Sequence, residues 1–204
     1  IICFLALFGG AFFRIWMIGG INREKVFLVT SATLILSALV YRGSLFLFPL
    51  ILKNTSLHLS YDLNSIFFAI PFGLGVLVIA FVFNLQSAVI FSFVNAMFGA
   101  VACGWNFKVF LYVLMGNLAV SYGIEYYQRL KRSPIIKASL LWLMPVNMIM
   151  IGMFHLTEPN FDYKLLSLNI LMGMFSALFA PILANFLIPV FESVFRLVTE
   201  LKLI

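Results

Sequence analysis

Apolar residues in this chain gather in long stretches, and polar residues collect in the short gaps between them. A helix that is apolar on every side needs an apolar surrounding, and in lipid a helix can satisfy its own backbone. Crossing a bilayer takes roughly 20 such residues. Seven runs qualify, at residues 1–18, 26–47, 65–83, 88–103, 107–127, 136–154 and 165–188. Their gaps hold the breakers: Gly19-Gly20 before Arg23 and Lys25, Pro49 before Lys53 to Asp62, and Asn84 to Ser87. Gly104-Trp105-Asn106, Gln128 to Pro134, His155 to Asp162, and Pro189 follow. The pattern predicts an all-α integral membrane bundle of about seven transmembrane helices.

Past Pro189 the pattern changes. Val190, Phe191, Val194, Phe195, Val198 and Leu201 recur at helical spacing, while Glu192, Arg196 and Glu200 lie four apart on another face. That spacing predicts a C-terminal juxtamembrane amphipathic helix. Pro189 suits the first turn of a new helix, where its absent N–H is not needed, so a bend is expected there. The chain therefore divides into a seven-helix transmembrane domain, residues 1–189, and a linker helix, residues 190–204.

Composition agrees with this picture and removes competitors. Hydrophobic residues make up 64% of the chain and charged ones 10%, with a mean hydropathy of +1.12. Soluble domains carry roughly 25% charged residues. The net charge of +6 comes from residues in short loops and not from a basic stripe, which argues against nucleic-acid binding. Short-loop lysine and arginine set orientation. Arg23 and Lys25, the Arg129/Lys131/Arg132/Lys137 cluster and the tail alternate onto one side, which is expected to be cytoplasmic. The N-terminal residue is then outside and the C-terminal end inside. Ile1 lacks a charged signal-peptide leader and is read as the start of a fragment.

Candidate chemistry within the runs is sparse. Arg14 and Glu125 fall about one turn from the same predicted face and form a candidate intramembrane ion pair. Five asparagines (Asn95, Asn117, Asn147, Asn169, Asn185) are candidates for an interhelical hydrogen-bond network, with structural glue as their expected role. Small residues line one face of the fourth run (Ala96, Gly99, Ala100, Cys103) and of the seventh (Gly173, Ala177, Ala180, Pro181, Ala184), with a kink expected at Pro181. Cys3 and Cys103 read as buried small hydrophobes. His58 and His155 fall in loops, are expected to be solvated, and cannot by themselves build a metal site.

The tail Pro189-x-x-Glu192-x-x-Phe195-x-x-x-Thr199-x-x-x-Leu203 resembles the junction of the bacterial seven-transmembrane HD proteins, and Ile70-Pro71, Arg132-Ser133, Asn147, Leu168-Asn169, Gly173 and Ser176 are similar too. The likeness covers residues 60–204. The family often shows Asn-Gly in the last span, whereas Gly173 here lies four residues after Asn169. The resemblance implies an extracellular domain before Ile1 and a cytoplasmic HD phosphohydrolase domain after Ile204, with cyclic di-AMP as substrate. It assigns a coupling role to Pro189, Glu192, Phe195, Thr199 and Leu203.

The chain is thus expected to anchor and to transmit a signal, with lipid and its own flanking domains as partners and with homo-oligomerisation open. No catalytic site and no cofactor is expected within it; the divalent metals belong to the HD domain. The alternative is a transporter or substrate-capture subunit, which is expected to show internal repeats or paired broken helices near mid-membrane.

Overall fold

The computed structural model describes residues 23–54, 63–128, 134–158 and 161–195. Among them all regular structure is helical: α1 (Arg23–Asn54), α2 (Leu63–Ala69), α3 (Leu74–Val82), α4 (Leu85–Ala102), α5 (Phe107–Gln128), α6 (Pro134–Ala138), a π-helical turn (Ser139–Leu143), α7 (Met144–Leu156) and α8 (Tyr163–Phe195). Six of the expected spans are present as segments long and apolar enough to cross a membrane. The first run, residues 1–18, lies outside the described residues.

The turns between spans follow local chemistry. Asn84 caps α4, its Oδ1 accepting from the backbone N–H and the hydroxyl of Ser87 at 2.9 and 2.6 Å, so a short uncharged turn is enough to reverse the chain. After α4, Gly104 takes a φ of 78°, a conformation open to glycine, and Asn106 Oδ1 then accepts from the N–H of Lys108 at the start of α5. Buried hydroxyls inside the spans bond back one turn, as Thr33 does to Val29 and Ser121 to Asn117.

Four expectations change. The third run is two helices, because Pro71 cannot donate and the chain breaks at residues 70–73. The sixth run carries a π-helical turn immediately before Pro145, a common accommodation of a helix to proline. The second run continues through Pro49 to Asn54. The seventh continues through both Pro181 and Pro189 to Phe195, so no break separates a linker helix at residue 190. Pro189 removes one intrahelical bond, the one to the carbonyl of Asn185, and both residues lie on an exposed part of α8.

The interrupted third span is the hub. Some 83% of it is buried, against 39–50% of the other spans, and α3 packs against α1, α4, α5 and α8. Two apolar layers meet at its break. One surrounds α3 with Leu34, Phe91, Ile124 and the small-residue face of α8. The other surrounds residues 68–72 with Tyr41, Tyr112 and Ile151. Large apolar side chains on the outer surface, such as Phe46, Ile149 and Phe186, face the lipid.

Candidate functional site

Breaking a helix inside an apolar bundle frees carbonyls that water cannot reach, and each must find a donor. Side chains of four other helices meet that need. The carbonyl of Phe72 accepts from Asn95 Nδ2 of α4 at 2.9 Å. Asn95 Oδ1 in turn accepts from the phenol of Tyr41 on α1 at 2.7 Å, and that phenol also lies 3.1 Å from the Phe72 carbonyl. The hydroxyl of Ser176 on α8 donates to the carbonyl of Ile70 at 2.8 Å. The phenol of Tyr112 on α5 approaches the carbonyl of Phe68 at 3.4 Å. One broken span thus ties α1, α4, α5 and α8 together through groups that sequence spacing does not associate.

The π-helical turn serves α8 in the same way. Pro181 has no N–H to give to the carbonyl of Ala177, one turn before it, and the hydroxyl of Ser139 donates to that carbonyl instead. Close backbone approach accompanies these bonds. A Cβ on Gly173 would fall 2.6 Å from Ile151 Cδ1, and one on Gly75 would fall 2.6 Å from Ser37 Oγ and 2.9 Å from the ring of Phe91. The small-residue face of α8 expected from sequence is buried throughout, as are Ala96, Gly99 and Ala100 on α4 and Cys103 just past its end. Of the five asparagines, Asn95, Asn147 and Asn169 make bonds between helices, Asn147 through the carbonyl of Gly173 at 3.2 Å. Asn185 is exposed. Asn117 is buried with neither amide atom partnered among the described residues, beside a cavity of about 10 Å³. That space holds one water at most.

The tail residues expected to couple sit at the far end of α8. Phe191 is buried and stacks on Phe195 at 5.6 Å, and Phe195 packs on the apolar layer around α3. Val190 and Val194 point outward, so the apolar set read from the sequence is split between the bundle and its surroundings. Pro189 is exposed and Glu192 half-buried. Thr199 and Leu203 lie outside the described residues, as does Arg14, so its pairing with the half-buried Glu125 does too.

A family model for the 7TM receptor with intracellular HD hydrolase matches residues 1–199. The chain belongs to this family. No curated protein and no solved structure matches it. The chain is accordingly the membrane signalling domain of an HD-type protein, a multi-pass bundle in lipid, and the family links that bundle to an intracellular hydrolase. HD chemistry takes a cluster of His and Asp ligands around divalent metal. Among the described residues no three His, Cys, Asp or Glu side chains lie together in this receptor domain.

His155 is not a solvated loop residue: it lies in the last turn of α7, is buried, and its Nε2 lies 3.0 Å from Asn169 Nδ2 on α8. Only the fold brings residues 155 and 169 together; a histidine immediately after an apolar run gives no such sign in sequence.

Proposed function

We propose that this domain carries a signal across the bacterial cytoplasmic membrane to an HD phosphodiesterase that hydrolyses cyclic di-AMP, and that α8 is the moving part. The observation that carries this is the continuity of α8. It runs unbroken for 33 residues, roughly 50 Å at 1.5 Å per residue, while the hydrocarbon core is about 30 Å thick. It also packs against α2, α3, α7 and the π-helical turn, so a rearrangement at the broken span is felt along its length. The bias of lysine and arginine supports an inside position for its C-terminal end and an outside position for the N-terminal residue.

Signal transfer here means a choice between two packings of α8 against the hub. Phe191 and Phe195 hold its inner end to the apolar layer, and Ser176 holds its middle to the Ile70 carbonyl. A ligand or partner that favours one packing shifts the population by no more than its differential affinity for the two. Divalent metal in the HD domain supplies the hydrolytic chemistry, and the spans supply position.

The transporter alternative draws on the broken third span. Transporters of that kind use the unwound carbonyls of paired broken helices to hold their ions. Here the carbonyls of Phe68, Ile70 and Phe72 are taken by protein side chains. The test uses the full-length protein carrying the HD domain. Phe195→Ala and Glu192→Ala are expected to change phosphodiesterase regulation while expression and membrane insertion stay intact. Unchanged basal activity and unchanged response in both variants would leave only an anchor.

A further inference from the structure

A cavity of about 260 Å³ opens at the end of the bundle where α2 begins, α5 begins, α7 ends and α8 begins. It is walled by Phe67, Phe68, Phe107, Phe154 and Leu165, and its polar wall is unusual. Three lining side chains are more than nine-tenths buried, and each has an atom with no hydrogen-bond partner among the described residues: Ser65 Oγ, His155 Nδ1 and Asn169 Oδ1. Polar groups at a bundle wall are destabilising when left unpaired, and in membrane spans they mark functional sites. Three of them around one cavity are not explained by packing.

Their chemistry narrows the ligand. Where Asn169 Nδ2 donates to His155 Nε2, the neutral ring carries its proton on Nδ1, so His155 offers a donor. Asn169 Oδ1 offers an acceptor, and the Ser65 hydroxyl offers either. At the rim, Lys108 Nζ and Glu158 Oε1 are paired at 2.9 Å and neutralise each other, while Glu158 Oε2 lies 3.6 Å from His155 Nδ1, beyond hydrogen-bond reach. Among the described residues no other charged side chain lines the space. A net charge on the ligand would therefore sit uncompensated among phenylalanines. The volume matches roughly nine waters at about 30 Å³ each, or roughly a dozen non-hydrogen atoms.

We propose that this cavity binds a small molecule without net charge, of amino-acid size, that joins a hydrogen-bond donor and acceptor to an aromatic or branched apolar body. Binding turns Asn169, His155 and Ser65 onto the ligand. Asn169 is on α8 and Ser65 on α2, the helix that leads into the break, so occupancy acts on the two elements that the hub ties together. This last step rests on the signalling role proposed above; the binding step does not.

Binding is tested on the intact protein in lipid nanodiscs by thermal unfolding, with four probes on one phenyl body: L-phenylalanine, phenylacetamide, phenylacetate and phenethylamine. At 10 mM (roughly tenfold over a Kd of about 1 mM), L-phenylalanine or phenylacetamide is expected to raise Tm by about 2 °C or more. The two singly charged probes are expected to do nothing. Asn169→Ala and Ser65→Ala are each expected to weaken the effective probe roughly tenfold. Ser65→Ala removes an unpartnered atom, so it keeps the test sound if Asn169→Ala unfolds. No shift from any probe, equal shifts from all four, or shifts unchanged in Ser65→Ala would overturn the proposal. That failure, with Phe195→Ala still altering hydrolase regulation, would leave the signalling role standing. Binding with no regulatory effect of Phe195→Ala or Glu192→Ala would do the reverse.

Discussion

The bond between Asn95 and the broken third span gives an ordering of mutant stabilities that runs against side-chain size. Asn95 Nδ2 donates to the Phe72 carbonyl at 2.9 Å, and the single proton of Tyr41 goes to Asn95 Oδ1 at 2.7 Å. The same phenol stands 3.1 Å from the Phe72 carbonyl. In Asn95→Leu the proton can swing to that carbonyl, so two bonds become one and nothing polar is stranded. The expected loss is about 1 kcal/mol, near the average for such bonds in membranes. In Tyr41→Phe the carbonyl stays bonded but Asn95 Oδ1 is stranded in a fully buried site, for about 1–2 kcal/mol. The double variant strips the Phe72 carbonyl of both donors and is expected to lose about 2–4 kcal/mol. Equilibrium unfolding by SDS titration in mixed micelles measures all three. If Asn95→Leu proves clearly worse than Tyr41→Phe, the phenol does not take over and the carbonyl depends on the asparagine alone. If the double variant is neutral, these bonds do not hold the break.

Ser139→Ala is expected to destabilise by about 1 kcal/mol, because the Ala177 carbonyl loses its donor. In a Pro181→Ala background, where residue 181 regains its N–H, the same change should be near neutral; equal losses in both backgrounds would disprove the pairing of proline and serine. Cysteines placed at Ser133 and Asn160 should label from opposite sides of the membrane, and labelling of both from one side would overturn the topology. Burial pushes the Cys103 thiol, just past the end of α4, up to about 12, with Arg42 opposing weakly. The reactive thiolate is therefore scarce at pH 8. In a Cys3→Ser background maleimide should label the protein only after denaturation, and fast labelling of the native form would show the site to be open.

The sequence by itself determined the class of this protein. Helix all round, lipid as surroundings, the positions of six described spans and the small-residue faces of α4 and α8 all follow from run length and side-chain size. Those are local quantities, and lipid imposes them on each span separately. The tail motif from Pro189 to Leu203 also carried the family by resemblance.

What the tertiary structure decided concerns groups that meet across the bundle. Pro71 announced a disturbance, but whether the third span bends or breaks depends on donors 23 to 106 residues away in sequence, Asn95 and Ser176 among them. Pro181 and Pro189 suggested a kink and an end, yet α8 runs on. At Pro181 another helix repairs the lost bond through Ser139, and at Pro189 the stripped carbonyl lies on an exposed stretch. His155 looked like a solvated loop residue and is a buried partner of Asn169, because burial of a residue at a helix end depends on which neighbour covers it. A membrane span's existence is written in its own residues, while its satisfied and unsatisfied polar groups are a property of the spans beside it.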